Sequence, residues 1–151
     1  PQYGFHPGEM AVNRRFKFLA LVGLCGVVGS AGALTSAATQ TYSNVAFSFS
    51  TTLNSPTIDF TVCNELRVDA SGDFINSTKF VVYGVLNCAT TGKGYTAAGS
   101  GYIGFDGSIN MAFLLGNGLS VQCPRLVNLS GSCDINNTAG VKVGTATLTL
   151  K

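Results

Sequence analysis

Four cysteines carry the clearest chemistry in this chain: Cys63, Cys88, Cys123 and Cys133. Zinc ligands of the closed structural kind come in pairs two to four residues apart. Here the successive gaps are 25, 35 and 10 residues, and no C-x-x-C pair exists for redox work. With the fifth, Cys25, set aside as a filler of the apolar leader discussed below, an even number in a small domain reads instead as two disulfides. Three pairings satisfy the count. The sequential one, Cys63–Cys88 with Cys123–Cys133, is favoured because shorter loops close more easily.

Other catalytic chemistries are thinly supplied. The single histidine, His6, lies before the apolar leader discussed below, so a histidine base for a serine or cysteine nucleophile is not expected in the folded domain. No G-x-x-x-x-G-K-[ST] phosphate loop occurs. Gly99-x-Gly101-x-x-Gly104 has the spacing of a dinucleotide fingerprint, but no helical pattern follows it. It reads as a glycine-rich strand, and no cofactor is expected.

Paired carboxylates are the remaining acid–base route. Asp69, Asp73, Asp106 and Asp134 sit in turn-like contexts, and Asp59 alternates with apolar neighbours beside Thr57 and Thr61. Asp69 and Asp73 with Asn76 offer oxygen ligands of the calcium type, but their spacing fits no calcium loop and ordinary turn chemistry explains it. The protein is therefore read as a non-enzyme.

Binding residues are the better prospect. Arg125 falls on the apolar parity of its strand, which would aim a guanidinium inward as an anion-binding group. If Pro124 introduces a bulge instead, Arg125 faces water. Tyr83, Tyr95 and Tyr102, together with Tyr42, would serve a binding face for sugars or apolar ligands, or simply pack on sheets. Asn76, Asn128 and Asn136 each begin an N-x-[ST] acceptor sequence, relevant only to a eukaryotic host.

The elements that must position these residues are strands. Period-two alternation recurs through Val45–Phe49, Ile58–Val62, Phe80–Leu86, Tyr95–Phe105, Ile109–Leu115, Leu119–Ile135 and Val141–Leu150. The run from Leu119 to Ile135 is too long for one strand of a small domain, and Pro124 or Ser130-Gly131 would break it. Parity changes near Gly144, which suggests a bulge. Asp106-Gly107 and Asn117-Gly118 read as type I′ hairpin turns, and no long loop is expected. The spacing predicts an all-β antiparallel meander of about seven or eight strands, with an up-and-down barrel favoured over a two-sheet sandwich.

Upstream of the domain, residues 10–33 have the order of a secretory signal. Arg14, Arg15 and Lys17 precede an apolar run from Phe18 to Val28, and Ala31-Gly32-Ala33 fits a peptidase site. A retained anchor is the alternative for this helix-forming segment; residues 1–9 have no expected structure. The secreted domain is then residues 34–151. Of the 151 residues only 11% are charged, against a usual ~25%. The net charge of +2 resides in residues 1–33, so neither nucleic acid nor, for the mature form, a membrane surface is an expected partner.

These features point to an exported, disulfide-stabilised, non-enzymatic module at the cell surface, in the periplasm or outside the cell. It would bind a protein or a wall, or act as a structural protein that self-associates through an unpaired edge strand. The alternative is a carrier of a small apolar ligand in the barrel interior. An extracellular hydrolase inhibitor or a carboxylate-dependent hydrolase is less favoured.

Overall fold

Alternating side chains need two environments, and here they are the inside and outside of a tube. The computed structural model describes residues 39–74 and 77–151. The leader, residues 1–9 and Asn76 lie outside the described residues. Eight strands follow in order: β1 (Gln40–Thr51), β2 (Cys63–Gly72), β3 (Lys79–Cys88), β4 (Gly94–Ile103), β5 (Ile109–Leu115), β6 (Ser120–Leu126), β7 (Gly131–Asn136) and β8 (Lys142–Leu150). Each pairs antiparallel with the next, and β1 pairs with β8, so the meander closes into a barrel. Among the described residues there is no helix.

The inward parity supplies the core. Leu66, Leu86, Leu115, Val121, Ile135 and Leu148 are completely or almost completely buried. Closure also satisfies both edges of the sheet, since every strand has two partners. The unpaired edge expected for self-association is therefore not offered by any whole strand among the described residues.

One expected strand is a plug instead. Ile58 to Val62 lies in the connection between β1 and β2, residues 52–62, which folds across one mouth of the barrel. Alternation here sends Ile58 and Phe60 into the mouth, 1% and 6% exposed, and Phe60 meets Phe49 with ring centroids 5.5 Å apart. Asp59 closes a turn: its carbonyl accepts the Cys63 N–H at 2.8 Å, and its carboxylate accepts the Thr61 N–H at 3.0 Å. The eighth strand is supplied by β2, where Leu66, Val68 and Ala70 face inward between Glu65, Arg67, Asp69 and Ser71. The connection is also longer than expected from the turn signals. At the opposite mouth Phe74 stacks edge-on against Tyr42 and packs beside Phe80, with Ile109, Leu126 and Leu129 completing the seal.

The hairpins differ from expectation in type. Gly107 and Gly118 have φ of 76° and 89°, but Asp106 and Asn117 do not have positive φ. Each glycine N–H donates three residues back, to Gly104 and Leu115. These are type I turns followed by a left-handed glycine, one residue longer than the I′ form. The two-residue turn with both φ positive is Asn128-Leu129, at 51° and 60°, between Val127 and Ser130, which exchange two hydrogen bonds of 3.0 Å. This turn, rather than Pro124 or Ser130-Gly131, ends the long alternating run. The bulge expected near Gly144 is present as a register shift between β7 and β8.

Candidate functional site

The cysteines form cross-strand staples. Cys63 and Cys88 face each other at the plugged end of β2 and β3, with Cα atoms 3.8 Å apart. Cys123 and Cys133 join β6 to β7 at 4.1 Å. All four are buried on the inward parity, and the pairing is the sequential one favoured by loop length.

Arg125 does not point inward. Between Ile109↔Leu126 and Met111↔Cys123 the β5–β6 register slips, so β6 has an extra residue at Pro124-Arg125. Its side chain is 66% exposed, and its Nη2 and Nε donate to Asp106 Oδ2 at 3.0 and 3.3 Å. The pair ties the bulge to the β4–β5 turn and keeps the Arg125 guanidinium out of the core.

The tyrosines separate by parity. Tyr95 faces inward at the plugged mouth, and its hydroxyl donates to the Thr57 carbonyl at 2.7 Å. Asn117 Nδ2 donates to Thr57 Oγ1 at 2.9 Å. Tyr95 is thus an anchor for the plug. Tyr83 and Tyr102 face outward, 63% and 50% exposed. Tyr42 belongs to the seal at the other mouth, where burial raises its pKa.

The inward glycines that a ligand cavity would depend on are occupied by neighbours. A Cβ at Gly101 would lie 2.5 Å from Cζ of Phe80, and one at Gly99 would overlap the backbone of Ala112. The space glycine vacates is filled by an aromatic ring in one case and by the close approach of β5 in the other.

A hollow lies on the outer wall. It is a shallow furrow of about 880 Å³ between two rows of outward side chains. One row follows the register Ser71↔Val81↔Ser100↔Ala112↔Gln122↔Asp134, and the other runs Lys79↔Tyr102↔Asn110. With strands ~4.8 Å apart the first row extends about 24 Å along the wall. Tyr102 was singled out in the sequence. Lys79, Ser100, Asn110 and Gln122 were not, because their four strands become neighbours only through pairing; their shared outward parity was the available signal.

The acids are engaged locally. The Ser108 hydroxyl and N–H, followed by Arg125, pull Asp106 down to about 2. Lys151, then Arg67, lower Glu65, and the Thr61 hydroxyl and N–H lower Asp59. Asp134 pairs with Lys142 at 2.7 Å, and Asp69 Oδ1 accepts the Asn44 N–H at 2.6 Å. Of the acceptor asparagines, Asn128 is exposed in its turn, whereas Asn136 is buried.

No family model, characterised protein or solved structure matches the chain.

Proposed function

We propose that this chain is an exported, non-enzymatic module that works through its outer wall, as a binding or surface protein. The observation that carries the reading is the filled and doubly sealed interior. The plug of residues 52–62 covers one mouth, Phe74, Phe80 and Leu129 crowd the other, and Phe80 takes the room opened by Gly101. A carrier needs vacant volume lined by apolar groups; here such groups contact one another. Two buried disulfides favour an oxidising compartment, where this small core gains ~2–4 kcal/mol per bridge.

The non-enzymatic part is supported by how the acids are engaged: Asp59 and Asp106 brace their own turns, and Glu65 and Asp134 are held by lysines. The test is native mass spectrometry of the protein recovered from an exporting host, with thiol titration after denaturation. The expected result is an apo mass and no reactive thiol among Cys63, Cys88, Cys123 and Cys133. A co-purified lipid would overturn the sealed-interior reading, and free thiols in the exported product would overturn the compartment.

A further inference from the structure

We infer that the outer furrow binds a neutral, hydroxyl-rich oligosaccharide chain, with Tyr102 as the stacking platform. The inference deepens the outer-wall reading above and rests on it. Tyr102 has Lys79 directly across from it on β3 and Asn110 directly across on β5. A half-exposed ring is thus flanked, one strand spacing away on each side, by hydrogen-bonding groups. The C–H face of a sugar ring covers an aromatic face, while its hydroxyls take amide and ammonium partners. In the adjoining row the hydrogen-bonding Ser71, Ser100 and Gln122 alternate with the apolar Val81 and Ala112, so polar and apolar contacts are both offered along it.

Charge and shape select among occupants. At one end of the furrow Asp134 is paired with Lys142, which leaves Lys79 as the unpaired charge along it among the described residues. A nucleic acid or another polyanion would need a basic stripe. An extended peptide would add to a sheet edge, which closure removes from every whole strand. A second copy would need ~20–30 residues a side. The large apolar side chains exposed on the outward faces of β3 to β5 are only Val81, Tyr83, Tyr102 and Leu114. An open-ended furrow suits the interior of a chain rather than a small, enclosed ligand.

The test is native affinity electrophoresis of the full exported protein in gels containing a soluble β-glucan, xylan or galactomannan. Retardation is expected in at least one gel. Tyr102→Ala should weaken the apparent affinity about tenfold, the share of one well-placed aromatic contact, and Asn110→Ala should weaken it less. Tyr83→Ala removes a still more exposed ring outside the furrow and should migrate like the parent. Unchanged migration in every gel, or equal losses in Tyr83→Ala and Tyr102→Ala, would overturn the furrow as a site and leave the outer-wall module standing. Light scattering that shows a dimer abolished by Tyr102→Ala would also overturn it, by making the face an interface between copies. Release of reducing ends from the polysaccharide would do the reverse, removing the non-enzymatic reading while retaining the ligand.

Discussion

Replacing Leu129 by alanine and, separately, by glycine should reverse the usual order of these two substitutions. Leu129 is the second central residue of the β6–β7 turn, at φ 60°, and its side chain is only 9% exposed. Two opposed effects therefore meet in one residue. Its left-handed backbone costs roughly 1–2 kcal/mol for a residue with a Cβ, and its buried side chain contributes roughly 1.5–3 kcal/mol. Alanine loses most of the burial and keeps the backbone penalty, so destabilisation of about 2–3 kcal/mol is expected. Glycine loses slightly more burial and orders a freer chain, a loss of ~0.5–1 kcal/mol, but it is released from the left-handed penalty. It should therefore be as stable as the alanine variant or up to about 1 kcal/mol more stable. In an ordinary strand glycine is the poorer of the two. The assay is reversible urea unfolding with both disulfides intact, comparing midpoints at constant m. A glycine variant weaker than the alanine variant by 1 kcal/mol or more would refute the positive φ and, with it, the two-residue turn.

Removing each bridge as a double alanine variant should rank the two. The Cys63–Cys88 loop spans 25 residues and the Cys123–Cys133 loop 10; chain entropy makes the first loss about 0.8 kcal/mol larger, and an inverted order in urea would reject that account. Asp106→Asn should flatten the acid limb of stability. Asp106 drops from 3.8 to about 2 in the fold, so its contribution is present above the unfolded value near pH 4 and fades as pH falls through about 2; acid titration of both proteins by circular dichroism should show the smaller dependence in the variant. Tyr95→Phe removes the 2.7 Å bond to the Thr57 carbonyl and should destabilise by ~1 kcal/mol. Hydrogen exchange in that variant should quicken within residues 52–62 more than in β5; uniform quickening would mean that Tyr95 is not specifically the plug's anchor.

Much of the barrel was legible because inward and outward parity survives in the raw sequence. Ile109–Leu115 keeps the alternation, Phe80–Leu86 is apolar on both faces, and both are strands. The limit of the same signal is Ile58–Val62. A loop that lowers alternate side chains into a mouth shows the period of a strand, and only Ser55-Pro56 and the Asp59–Thr61 turn mark the difference. Charged outward positions on β2 made its alternation less conspicuous beside that apolar stretch. Turn chemistry was legible in place but not in length, since Asp-Gly and Asn-Gly satisfy a left-handed glycine in either hairpin type. At Leu129 no local residue preference announces positive φ; burial of its side chain over the sealed mouth is what holds it there. For the candidate site, Tyr102 could be selected one residue at a time. Its neighbours Lys79 and Asn110 could not, because register is a property of paired strands. The opposite outcome at Arg125 follows from one proline: the slip at Pro124 turned an inward parity outward.

The seam between β1 and β8 also governs when the molecule can form. Phe47 meets Leu150 and Thr51 meets Ala146 across almost the full length of the domain. No partial product of synthesis, however many hairpins it has made, can have a finished wall. Neighbouring hairpins form from local contacts, and the hairpin that holds Cys123 and Cys133 can oxidise early, but the last join waits for β8. High contact order of this kind folds slowly. On the export reading proposed above, the delay is an advantage: the chain stays threadable until β8 has been delivered.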